Sequence, residues 1–146
     1  MFTPDRSSMR RFFIDAWKKA CAGEPLEALE RQIAEVVRQH PEYHGTLTDA
    51  DVVEDKDFPP EAGQTNPFLH LGLHLAILEQ ITTDRPPGVR ALYQRITAKA
   101  MDTHQAEHEM MDCLALGLWE AQRAGCKPDE TAYLECLRRL TAAVVP

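Results

Sequence analysis

Asn66-Pro67-Phe68-Leu69-His70-Leu71-Gly72-Leu73-His74 is the stretch on which the reading of this chain turns. Thr65-Asn66 followed by Pro67 is a capping side chain with proline at the first helical position, a strong start signal. The apolar residues that follow, through Ala76, Ile77, Leu78 and Ile81 to about Thr82, lie all round the axis, so the spacing predicts a helix buried on nearly every side. His70 and His74 are four residues apart on it. They project about 40° from each other around the axis and one turn apart along it, which is a chelating geometry. A buried polar group without a partner costs about 1–3 kcal/mol, so imidazoles here must hydrogen-bond or bind something. Gly72 between them is expected to let a backbone or a ligand approach closely.

The same spacing recurs at His40/His44 and His104/His108, and the three pairs use all six histidines of the chain. His40 continues the inner stripe of a helix expected from about Pro25, which carries Leu26, Leu29, Ile33, Val36 and Val37, so it points inward. Pro41 then pushes His40 out of the α region, and His40 to His44 is not one helical face. His104 and His108 stand on a helix that starts after Asp102-Thr103, with Glu107 on the same face and Asp112 four residues beyond His108. Carboxylates are therefore available as ligands, bridges or acceptors for imidazole N–H groups.

The remaining chain reads as further helices. Met9, Phe12, Phe13, Ala16, Trp17 and Ala20 mark one from Thr3-Pro4 to near Gly23. Val89, Leu92, Tyr93, Ile96 and Ala100 mark another after the turn Asp84-Arg85-Pro86-Pro87-Gly88. Pro128-Asp129-Glu130 opens a last one with Tyr133, Cys136, Leu137, Leu140 and Val144 on its apolar side. No strand is predicted. The expectation is one all-α domain over residues 1–146, a bundle of five to six helices with one long loop over about 41–65.

That loop carries most of the charge imbalance. The 146 residues sum to −7, and between His40 and Asn66 seven acids (Glu42, Asp49, Asp51, Glu54, Asp55, Asp57, Glu61) face one base, Lys56. A loop of this length is either a lid or a solvated excursion. The acidic balance argues against a phosphate-tracking surface, so no nucleic-acid partner is expected. No apolar run approaches the ~18–20 residues that cross a bilayer, and no leader pattern opens the chain, so a cytoplasmic location without membrane attachment is expected. Cys21, Cys113, Cys126 and Cys136 are widely spaced, which predicts reduced thiols, with Cys113 and Cys136 in the core and Cys126 exposed in a turn.

Two i, i+4 pairs on facing helices supply four nitrogens to a bundle axis. The expected site holds one or two zinc or iron ions between the third and fifth helices, with His70, His74, His104 and His108 as ligands, Asp112 or Glu107 as carboxylate partner, and His40 and His44 nearby. His104-Gln-Ala-Glu-His108 matches the His-x-x-Glu-His zinc pattern, but a short all-helical chain has no room for the peptidase architecture that uses it. A site with an open position would support metal-activated water or dioxygen chemistry on a small-molecule substrate, with Glu107 as the catalytic proton acceptor. The alternative is a non-catalytic interaction protein, with Trp119, Gln122 and Arg123 toward a partner and histidines that are core residues or a pH switch. Oligomeric state leaves no mark in the sequence.

The 66–74 stretch, His40-Pro-Glu-Tyr-His44, the His104 to Cys113 segment, Trp119-Glu-Ala-Gln-Arg123, Met9-Arg-Arg-Phe-Phe13 and Trp17 together resemble a bacterial family of short proteins classed as a domain of unknown function. The resemblance covers nearly the whole chain. It implies single-domain family membership and carries no activity with it.

Overall fold

The computed structural model describes residues 6–48 and 66–142. Every element in them is helical: α1 (Arg6–Cys21), α2 (Ala28–Arg38), a 3-10 turn (Pro41–Tyr43), α3 (His44–Thr48), α4 (Pro67–Thr83), α5 (Val89–Lys99), α6 (Thr103–Ala124) and α7 (Glu130–Thr141). The all-α class is as predicted. The chain divides into two compact units, Met1–Leu75 and Ala76–Pro146, and α4 runs from the first into the second.

In the first unit α1 packs on α2 and α3. Phe13, Ile14, Ala16 and Trp17 of α1, Ile33, Val36 and Val37 of α2, and Leu47 of α3 are buried. The start of α2 is closed by a capping box: Glu30 accepts from the Glu27 backbone N–H at 2.9 Å, and Lys19 of α1 donates to the other oxygen of Glu30 at 2.9 Å. Phe68 of α4 meets Phe13 at 6.3 Å between ring centroids, and the Arg10 guanidinium lies 4.8 Å over the Phe68 ring. Asn66 caps α4 as its sequence predicts, its Oδ1 accepting from the N–H groups of Phe68 at 3.0 Å and Leu69 at 3.2 Å.

In the second unit α5, α6 and α7 pack against one another as a three-helix bundle. Val89, Leu92 and Ile96 of α5, Met110 and Met111 of α6, and Leu137 of α7 are buried. Asp102 caps α6 by accepting from the Gln105 N–H at 2.7 Å, and Gln105 returns the favour by accepting from the Met101 N–H at 3.0 Å. Tyr133 of α7 donates its hydroxyl to Gln80 Oε1 at 2.6 Å, and burial pushes its phenol well above the usual range.

Several expectations are corrected. Residues 41–48, read as the start of the long loop, form the 3-10 turn and α3. His40 takes the non-helical conformation that Pro41 requires of the residue before it, and the chain turns helical again from Pro41. The rest of that loop, with six of its seven acids and its role as a lid, lies outside the described residues. α4 is not buried all round: Phe68, Leu71, His74 and Ile77 form the buried line, while Leu69 is exposed. Met9, Phe12 and Leu29, read as inward, are exposed as well. Cys113 and Cys136 are not reduced thiols but a disulfide joining α6 to α7. Cys126 is exposed, as expected.

Candidate metal centre

Three of the six histidines converge in the first unit. α2 ends at Arg38, and Pro41 supplies no N–H to the carbonyls of its last turn. His40 sits between them in a non-helical conformation (φ −125°, ψ 71°), with its backbone N–H donating to the Val37 carbonyl at 2.9 Å. Its ring then completes the cap: Nδ1 lies 2.8 Å from the Val36 carbonyl. A carbonyl only accepts, so Nδ1 carries a proton, and in the neutral ring Nε2 carries the lone pair.

That lone pair faces α4. His70 Nε2 is 3.0 Å and His74 Nε2 3.2 Å from His40 Nε2. The ring centroids form a nearly equilateral triangle of 4.8, 4.7 and 5.0 Å, and the rings stand edge-on to one another at 77°, 65° and 68°. His40 and His74 are fully buried, and His70 is half-buried. Tyr43, in the 3-10 turn, stacks on His40 at 5.5 Å and 12° and meets the edge of His70 at 5.8 Å. Burial, and secondarily Glu42, raises the Tyr43 phenol above its usual range.

Such a triad has two chemical readings. As hydrogen bonds, one lone pair on His40 would have to receive N–H groups from two directions, and it serves one in-line donor well. As metal ligands, three neutral imidazoles aim three lone pairs at one point. Two nitrogens each about 2.0–2.1 Å from a shared ion, with angles between about 90° and 109°, lie about 2.8–3.4 Å apart, and both measured separations fall in that interval.

His44 is turned away from the triad: its Nε2 donates to the Val37 carbonyl at 2.8 Å, which also accepts from the His40 N–H, and its ring packs on Trp17 at 4.6 Å. In the second unit His104 and His108 project from the first turns of α6 with ring centroids 4.1 Å apart at 62°. Both are half-buried, Glu107 between them is buried, and Asp112 is exposed. Trp119 is an exposed residue with the Arg123 guanidinium 4.5 Å over its ring. Tyr43 and the carbonyls of Val36 and Val37 were missed as parts of the site. The proline itself was the available signal, since it removes a donor just beyond the end of α2.

No helix among the described residues is long and apolar enough to cross a membrane. Compared with curated proteins and with solved structures, the chain finds no match in either. The family model for a domain of unknown function, DUF1841, does match, over residues 5–139, and with nearly the whole chain covered the protein belongs to that family.

Proposed function

We propose that this is a metal-binding helical protein, with zinc or iron held by His40, His70 and His74 and with His104 and His108 as a second source of imidazole donors. The observation that carries the reading is the convergence of three Nε2 atoms at 3.0 and 3.2 Å, with the His40 tautomer fixed by the Val36 carbonyl. A ligating histidine characteristically gives its other ring N–H to a backbone carbonyl or carboxylate, which orients the ring and raises its basicity, and His40 has that partner already. Histidine-rich sites between helices suit imidazole-loving metals over magnesium or calcium.

The test is the metal content of protein purified without a histidine tag and supplied with zinc and iron, repeated on His40→Ala, His74→Ala and His108→Ala. At least one equivalent in the wild type, falling below about a tenth in His40→Ala and His74→Ala, is expected from removing one of three ligands. One metal per chain, lost in all three variants, assigns both histidine groups to one ion. Two per chain, with one lost in His108→Ala, assigns the pair an ion of its own. A wild type holding less than a tenth of an equivalent of either metal contradicts the reading.

A further inference from the structure

We propose that the solvent face of α6 pairs with the same face of a second copy of this chain, antiparallel, about a two-fold axis midway between Gly117 and Leu118. The proposal is independent of the metal reading. α5 and α7 pack against α6, and its residues Ala106, Met110, Cys113 and Ala121 are buried on one face. At 100° per residue, the stripe directly opposite that face is Asp112, Leu116, Trp119 and Arg123. Every one of the four is exposed. They follow one another at spacings of four, three and four residues, which is the seam by which one helix packs along another. The two central members are large and apolar, yet Leu116 is 49% and Trp119 54% exposed. Tryptophan is the kind of side chain that anchors protein interfaces.

Charge names the occupant and its direction. Asp112 stands at one end of the stripe and Arg123 at the other, with the apolar pair between them. A parallel copy would set aspartate against aspartate and arginine against arginine. An antiparallel copy sets Asp112 opposite Arg123 of the second copy, and Arg123 opposite its Asp112, because the two positions lie equally far from the axis. Leu116 and Trp119 are also equally far from it. The register that pairs unlike charges at both ends therefore pairs leucine with tryptophan twice in the middle, which is the self-complementarity a two-fold interface requires.

The charges at the two ends are unspent within the chain. Among the described residues, the ion pairs are Lys19–Glu30, Arg38–Glu35 and Arg138–Glu135, and neither Asp112 nor Arg123 takes part in one. The Arg123 guanidinium lies 4.5 Å over the Trp119 ring, which holds it on the stripe. A single helix face is a small interface, so the association belongs to the transient class, with an expected dissociation constant of about 10–100 µM.

The experiment is sedimentation equilibrium of the full-length chain over about 1–500 µM at about 0.15 M salt. It uses a Cys21→Ser/Cys126→Ser background, because both thiols are exposed and could cross-link two chains. The expected result is a reversible monomer–dimer equilibrium that Trp119→Ala, Asp112→Arg and Arg123→Asp each weaken at least about tenfold. The double variant Asp112→Arg/Arg123→Asp, which exchanges the two charges, is expected to restore it to within a few-fold of the parent. Circular dichroism melts of each variant separate a lost interface from a lost fold, and the restored double variant does so independently. A chain that stays monomeric throughout the range overturns the proposal and leaves the face to a different protein. A dimer indifferent to all three single substitutions, or one that the charge exchange fails to restore, overturns it as well, because association then uses another face or another register.

Discussion

Glu30 shows how one side chain joins two helices, and it is where pH enters stability most simply. Its carboxylate accepts from the Glu27 N–H and from Lys19, both at 2.9 Å. The Glu27 backbone donor first and the Lys19 ammonium second hold its carboxyl below the ordinary value of 4.5. A depressed carboxyl contributes stability that is present above the ordinary value and lost as the pH falls through the folded one. Glu30→Gln is therefore expected to lower the melting temperature near pH 7, and the gap to the wild type should close in acid, as the pH falls through the folded-state value and the carboxyl becomes as neutral as the glutamine. Thermal unfolding followed by circular dichroism near neutrality and in acid reads this directly. An equal gap at both would show that the carboxylate charge is not what matters. His40 is the other residue at which charge and geometry meet. Its inward direction was legible from the stripe through Val36, but its weight in the site was not, because the spacing of local residues says nothing about α4, which reaches it from 30 and 34 residues away.

At the scale of elements, α4 carries both the best and the poorest of the sequence reading. Its start at Asn66-Pro67 and its pair of histidines on one face are as the residues predict, since capping and helical periodicity are local properties. Its surroundings are not local. Leu69 is exposed although it sits in the most apolar run of the chain, and Gly72 does not mark a close approach: a Cβ built there meets no atom within 4 Å. Gly72 is then only a weak helix former in a helix interior. Gly72→Ala is expected to raise unfolding stability by about 0.5–1 kcal/mol by removing backbone freedom from the unfolded chain. Metal content should be unchanged. Denaturant unfolding of the two proteins measures the difference, and destabilisation would mean that the space beside Gly72 is used. The pairing of Cys113 with Cys136 belongs to this scale too. Both were readable as helix residues on apolar stripes, and only the packing of α6 on α7 brings them together.

For the whole molecule, helical periodicity and capping were enough to predict the all-α class that the described residues show, and the family model covers residues 5–139. The site was half legible. Spacing singled out the histidines and named every member of the triad, and it placed His40 second to the helical pairs because Pro41 breaks the helical face. At the end of α2 the Val36 and Val37 carbonyls each accept from a backbone N–H and also meet the ring of His40 or His44, and the contact of His40 Nδ1 with Val36 leaves its Nε2 toward α4. The central claim is that imidazoles of this chain ligate a metal ion, and X-ray absorption at the metal edge of the loaded protein tests it most directly. The account predicts a first shell of at least three nitrogens at about 2.0–2.2 Å with the outer-shell scattering of imidazole rings. A first shell of oxygen or sulfur alone, with no imidazole signature, would contradict it.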